Sequence, residues 1–416
     1  MKFIINGNKK IEGSIKNSGS KNSAVAIIPA VVLADNDVTL RNVPNIQDVK
    51  TLITILREIG YQVVFSDNVL KIKKRKKIRH HIQSDEVSKL RGSYYFMGAF
   101  LGKAKKITIK NCGGCNLGYR PINYHLDGFK KLGAKIKQYP HKIKITAKKL
   151  SGCEILLGFP SVGATINIML ACVKADGFTT IKNCAKEPEI IDVGNFLIAM
   201  GAKITGLGSD MIVVEGVKRL KGCDYTITSD RVEAGTYLIL GAISNGAGIT
   251  VKGCCPIYLS ALIKLLKTVG CSVRVGPNEI FIKKEEALKP FHVTTAPYPD
   301  FPTDLGQMIS VLATQIKGVS SIKETIFSNR FSHIGELQKM GANITIKDDT
   351  IFIQGESELK PAQLMAYDLR GAASLVLAAV LAPGTTHIEN IEVLLRGYEK
   401  PVEKLSSLGL DIKLEK

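Results

Sequence analysis

The stretch NCGGCNLGYRP, residues 111–121, sets Cys112 and Cys115 three apart around Gly113 and Gly114, with Arg120 five residues beyond Cys115. Three chemistries suit such a pair: a zinc knuckle, a redox couple, or one reactive thiol beside a packed neighbour. A structural zinc takes four ligands, usually as two such pairs. The remaining cysteines, at 153, 172, 184, 223, 254, 255 and 271, form no second C-x-x-C, and the adjacent His80 and His81 lack ligand spacing, so no metal is expected. A redox pair normally opens a helix, whereas this stretch leaves a strand for a glycine-rich loop. The third reading separates the thiols. Cys112 follows a strand end as Cys184 and Cys254 do elsewhere in the chain, a position suited to a small buried hydrophobe. Cys115 has no such counterpart. Glycine backbone and a nearby cation favour a thiolate there, and Arg120 has the fork that grips a phosphate or carboxylate.

Other cations stand where helices should begin. Arg91, Arg231 and Arg370 lie at or just before the segments LRGS, DRVEAG and DLRGA. Helix N-termini present unpaired N–H groups and partial positive charge, so together with these arginines they form an anion site if they face one cleft. The substrate should then be small and polyanionic.

Bulk composition sets the limits. The chain has 416 residues, 45% of them apolar, and a formal net charge of +20. That length suits two domains of about 200 residues. The charge permits a polyanionic partner, but the basic run KIKKRKKIRHH, residues 71–81, reads as a solvated hairpin. It lacks the interleaved aromatics that stack on single strands, so no nucleic acid is expected. No apolar run approaches the roughly 18 residues that cross a bilayer, and MKFIINGNKKIEG is no signal peptide. A cytoplasmic protein with reduced cysteines and no membrane partner is expected.

A period of about 70 residues organises the chain. A helix end with a turn glycine recurs at Gly60, Gly133, Gly201, Gly270, Gly341 and Gly409, spaced by 68 to 73 residues, as C′ glycines would be. Five of the six are followed by a strand pair with period-2 alternation, such as ANITIKDDTIFI. The sixth stops after DIKLEK, and KFIING at the start can supply its partner. Each repeat also carries a helix apolar nearly all round, such as VGATINIMLACVKA, and hence buried. The predicted unit is helix, strand, helix, strand, strand, six times over. Three units each would form two α/β domains: residues 1–20 with 230–416, and an inserted domain of 21–229. Strand end to turn glycine spans 22 residues in the second repeat and 17 to 19 in the others. The excess falls in 111–121, and long loops on a repeat scaffold tend to carry function.

These motifs match a family over the whole chain. SGSKNS, RGSYYF, GGCNLGYRPINYH, SVGATIN, EPEIIDVGNFL, DRVEAGT, FPTDLGQ, NRFSHIGEL, DLRGAASL and RGYE closely resemble the enolpyruvyl transferases, in particular those acting on UDP-N-acetylglucosamine. The resemblance implies two inside-out α/β barrels of three repeats each, with the active site in the cleft between domains, and no cofactor. It implies transfer of the enolpyruvyl group of phosphoenolpyruvate to the sugar 3-hydroxyl, the first committed step of bacterial peptidoglycan synthesis. By this resemblance Cys115 is the general acid toward C3 of phosphoenolpyruvate, able to form an adduct and open to alkylation by fosfomycin. Lys21, Arg120 and Arg396 hold the phosphate and carboxylate, with Asn22 against both substrates. Asp304 meets the sugar hydroxyl as base. Arg91, Arg120, Pro121, Ile122, Asn123, Tyr124, Ser161, Val162, Gly163 and Ile326 contact the sugar nucleotide. Arg330, Asp368 and Arg370 are further cleft residues, and Asp48 and Glu187 are charged residues near it.

Plainer roles exist for several of these: Asp304 as a helix N-cap, Arg91 paired with Glu86, Arg370 paired with Asp368, and Lys21 as a surface lysine. The sequence also departs from the family at Asn123, often aspartate, at Ser20 and Ser23, usually alanines, and at Gly371. Two other readings compete. The sister enzyme acting on shikimate 3-phosphate lacks the cysteine loop. The RNA-end cyclases need a nucleophilic histidine, where this chain has LLRGYEK.

Overall fold

The computed structural model describes residues 1–74, 78–113 and 121–416. Its contacts divide into two compact units. One comprises Met1–Ser18 and Ser229–Lys416; the other is drawn from the described residues between Gly19 and Thr228. Cys115 and Arg120 lie outside the described residues.

Each unit has helices inside and sheets outside. Three buried helices form the centre of the inserted unit: Lys21–Ala30, Tyr95–Ala104 and Val162–Cys172. Three more form the centre of the discontinuous unit: Arg231–Ile243, Thr303–Thr314 and Leu369–Leu381. From Leu369 to Val380 every residue of the last helix is buried. Such a helix gains from burial on every face, about 2 kcal/mol for each leucine or isoleucine. Small residues let the helices approach. A Cβ on Gly98 would lie 2.2 Å from the Asn167 carbonyl oxygen of the neighbouring helix, so only glycine fits that crossing.

Around these helices the described residues form six four-stranded sheets. The six turn glycines all adopt positive φ, between 97° and 109°, the left-handed conformation glycine reaches without strain. Each sheet has one strand more than the sequence pattern predicts. A short strand precedes each buried helix and pairs in parallel with the strand that follows one, as Glu154–Leu156 pairs with Phe178–Lys182 and Gln363–Met365 with Thr385–Glu389. Runs of two to five residues are too short to display a period.

Lys2–Asn6 lies between Thr385–Glu389 and Asp411–Glu415, antiparallel to both, and completes the last sheet. Both boundaries between units fall between a short parallel strand and the helix next in sequence. Glu12–Lys16 pairs with Gly248–Lys252 in the discontinuous unit. Asp224–Thr226 pairs with Val38–Arg41 in the inserted unit.

Candidate functional site

In the discontinuous unit Asp304, Arg330, Arg370 and Asp368 converge. Asp304 is not an N-cap; that position belongs to Pro302, and Asp304 sits in the first turn of the Thr303–Thr314 helix. Its two carboxylate oxygens take separate guanidinium groups. Arg330 Nη2 lies 2.6 Å from Oδ1 and Arg370 Nη2 lies 3.1 Å from Oδ2. The two arginine side chains are 3% and 5% exposed and the Asp304 side chain 25%, so the carboxylate is the open end of a buried cationic clamp. Arg330 also donates to the Thr303 carbonyl.

Arg370 pairs with Asp304, and only its backbone N–H goes to Asp368. Asp368 N-caps the Leu369–Leu381 helix, accepting from the N–H groups of Arg370 and Gly371 at 3.0 Å each. Gln307 Nε2 and Ser332 Oγ donate to its other oxygen at 3.2 and 2.6 Å. Burial acts to raise the Asp368 pKa; the Gly371 N–H, the Ser332 hydroxyl and the charge of Arg330 outweigh it, leaving the pKa below the ordinary carboxylate value. Burial likewise acts against the charged form of Arg370, and Asp304 reverses this, so its pKa stands above the ordinary value. Ile326 follows the strand Gly318–Lys323 and donates its N–H to Glu324. Arg396 ends the short helix Glu392–Leu395 and is half-buried.

In the inserted unit Lys21 opens its helix, capped by Ser20, whose hydroxyl accepts from the Ser23 N–H. Lys21 is no free surface lysine. Its Nζ lies 3.2 Å from Asp48 Oδ2, and the Asp48 side chain is 4% exposed. Asp48 stands in the first turn of Gln47–Glu58, where a carboxylate suits the helix dipole. Asn22 Nδ2 donates to Glu189 Oε1 at 3.0 Å. Glu187 is buried just ahead of the helix Pro188–Ala199.

Arg91 does not take Glu86, which pairs with Lys89. It lies over the Tyr94 ring, 5.6 Å from centroid, and reaches the Pro121 carbonyl at 3.4 Å. Burial draws its pKa below the ordinary value. Ser161 N-caps the Val162–Cys172 helix. Pro121 and Asn123 are exposed, while Ile122, Tyr124, Val162 and Gly163 are half-buried. Tyr124 lies close enough to Gly158 that a Cβ there would be 3.0 Å from its hydroxyl.

The loop is described only up to Gly113. A Cβ on Gly113 would lie 1.7 Å from the Ser88 carbonyl oxygen, which fixes glycine at that point. Burial pushes the Cys112 thiol well up, so it stays protonated.

Sequence reasoning missed two polar groupings. Glu233 accepts from the Ser18 N–H at 2.6 Å and pairs with Lys404 at 2.7 Å, and Lys404 also donates to Ser18 Oγ. This holds the chain at the end of Met1–Ser18; only the acid in DRVEAG hinted at it. Buried histidines brace both sets of core helices. His125 Nδ1 lies 2.9 Å from Asn167 Nδ2, and His333 contacts Gln307 and Ser310.

Among the described residues no group of His, Cys, Asp and Glu is placed to hold a metal, and no helix is long and apolar enough to cross a membrane.

A profile of EPSP synthase (3-phosphoshikimate 1-carboxyvinyltransferase) matches residues 5–405. UDP-N-acetylglucosamine 1-carboxyvinyltransferase 2 of Listeria monocytogenes serotype 4b is 45% identical over 411 residues, covering 99% of this chain and 97% of that protein. The protein of the same name from Bacillus cereus strain ZK / E33L is 44% identical over 412 residues, covering 99% and 96%. Among solved structures, the enolpyruvyl transferase NikO from Streptomyces tendae superposes with a TM-score of 0.90 at 25% identity, over 99% of this chain and 98% of that one. An EPSP synthase from Acinetobacter baumannii gives 0.75 at 20% identity over the full length of both, a likeness of fold.

Proposed function

The chain belongs to the EPSP synthase family of enolpyruvyl transferases, and from that premise we propose that it transfers the enolpyruvyl group of phosphoenolpyruvate to the 3-hydroxyl of UDP-N-acetylglucosamine in peptidoglycan synthesis. The observation that carries this reading is the 44 to 45% identity, over 99% of the chain, to relatives named UDP-N-acetylglucosamine 1-carboxyvinyltransferase.

The reaction balances in two steps. The sugar oxygen bonds to C2 of phosphoenolpyruvate while C3 gains a proton, giving a tetrahedral ketal. The bond from C2 to the phosphate oxygen then breaks, C3 gives up a proton, and the enol ether and phosphate remain. Cys115 serves as acid toward C3. Asp304 takes the hydroxyl proton; its carboxylate is the more accessible member of the Arg330–Arg370 clamp and is fixed in direction by it. Orientation is much of what a general base needs. Lys21, Arg120 and Arg396 grip the two anionic groups of phosphoenolpyruvate. The Lys21–Asp48 pair keeps a cation in place ahead of substrate, and the arriving anion competes with Asp48 for it. Asn22 lies against both substrates. The nucleotide falls to Arg91, Pro121 to Tyr124, Ser161, Val162, Gly163 and Ile326. Buried Asp368 orients Arg370 through its backbone and is a positioning residue. No cofactor is required, and the reaction is placed in the cytoplasm.

The test is phosphate release from phosphoenolpyruvate. Release with UDP-N-acetylglucosamine and none with shikimate 3-phosphate is expected. The reverse pattern would assign the chain to the sister reaction.

A further inference from the structure

The second repeat's sheet carries a charge pattern that the reaction does not use. Its strands Lys106–Lys110, Lys142–Thr146 and Lys135–Tyr139 are adjacent and antiparallel. Registry places the residues of one sheet face in three rows, Lys106, Thr146 and Lys135; Thr108, Lys144 and Lys137; Lys110, Lys142 and Tyr139, of which Thr108 alone is buried. Six of nine positions are lysine and none is acidic. The parallel strand His81–Ile82 extends the middle row with exposed His81 opposite Thr108. Lys110 pairs with Asp85 and Lys142 lies over the Tyr139 ring. Among the described residues, Lys106, Lys135, Lys137 and Lys144 have no acidic partner.

Among the described residues no other sheet is built this way. Four of the remaining five carry outward carboxylates on their strands, as in the pairs Lys2–Glu415, Arg41–Asp224 and Lys203–Glu215, and at Glu12 and Glu279. The fifth carries two outward lysines, and one of them, Lys323, pairs with Asp349. Like charges directly opposite across strands are destabilising, as Lys137 and Lys144 are here. Folding alone gives no reason for the grid. His80, beside it, feels the field: burial first, then Lys106 and His81, push its pKa down.

We propose that this face docks the protein electrostatically on an anionic lipid surface. Strand geometry spaces neighbouring positions of the face about 4.8 Å apart across strands and about 6.8 Å apart along them, and a regular array of lysines matches an array of anionic headgroups in charge. It holds no arginine, so it lacks the fork that recognises a fixed phosphate; lysines are mobile point charges suited to headgroups that rearrange. A protein partner would need an apolar centre, and protein interfaces are depleted in lysine. A nucleic-acid strand would need stacking aromatics, and Tyr139 stands alone. Such docking needs no membrane-spanning segment, so the absence of one among the described residues is compatible with it.

The test uses the full chain with vesicles of phosphatidylglycerol and phosphatidylcholine, and of phosphatidylcholine alone, in a sedimentation assay. Binding to the anionic vesicles only is expected, falling as salt rises from about 0.05 M to about 0.3 M. Lys137→Glu with Lys144→Glu should weaken it at least about twentyfold, at about fivefold per lysine lost. A control with the same charge change on other sheets, Lys347→Glu with Lys413→Glu, should change it less than about threefold. Phosphate release should be unaltered in both variants, which also reports that they fold. Failure to bind anionic vesicles, equal loss in the two variants, or stronger binding to duplex RNA at equal phosphate concentration would overturn the proposal.

Discussion

Asp304 illustrates what one side chain costs and does. Its carboxylate holds two guanidinium groups that are almost wholly buried. The Asp304→Asn variant keeps the shape but offers one of them an amide NH2 in place of an oxygen. Leaving a buried charged donor without its acceptor costs more than the roughly 1–3 kcal/mol of a neutral group, so thermal unfolding should move down by several degrees. Removing a general base lowers turnover by about 10²–10⁴-fold. Both substrates should still bind within about threefold of the parent, because neither depends on this oxygen for its anionic contacts. Turnover near the parent value would remove Asp304 from the role of base. From sequence alone Asp304 was recognisable by its FPTD motif, but its partners were not. Arg330 and Arg370 lie 26 and 66 residues away, and no local pattern says that Arg370 turns from its neighbour Asp368 to Asp304.

The elements explain which parts of the fold the sequence disclosed. The turn glycines and alternating hairpins leave repeated local signatures, since each needs a residue type at a fixed place. The short parallel strands leave none: Glu154–Leu156 and His292–Thr294 pair only because the helix that follows returns the chain beside them. The histidine braces were equally hidden, because a histidine in an outer segment gives no sign of reaching a core helix. They carry a pH consequence. Burial holds His125 at about 3 and His333 at about 4, against an ordinary value near 6.5. The unfolded chain therefore takes up protons on these groups as pH falls below about 6.5, while the folded chain does not. Stability is complete above that pH and is lost as pH falls toward the folded values, at up to about 1.4 kcal/mol per pH unit for each histidine. Between about pH 6 and 5, above most carboxylate titrations, urea unfolding should show this slope. His125→Asn or His333→Asn should flatten it. An unchanged slope in both variants would mean that the histidines protonate in the folded state.

At the scale of the whole chain, the exchange of strands decides which segments can fold alone. The inserted unit contains every strand of its three sheets, Asp224–Thr226 included. Its two ends lie together: the Ser20 N–H donates to the Thr228 carbonyl at 2.7 Å. A fragment of residues 19–228 therefore loses no strand, and its core is large enough for an independent domain. Residues 229–416 are different. Without Met1–Ser18 they lose Lys2–Asn6 from the middle of one sheet and Glu12–Lys16 from the edge of another. They also lose the Ser18 groups that bond buried Glu233 and Lys404. Removing a central strand leaves two others with unpaired N–H and C=O groups, a template for aggregation. The 19–228 fragment should be monomeric, with a cooperative unfolding transition. The 229–416 fragment should be insoluble or unfolded alone and gain structure when residues 1–18 are fused to its start through a short flexible linker. Cooperative folding of 229–416 by itself would show that the N-terminal strands decorate this unit and do not complete it.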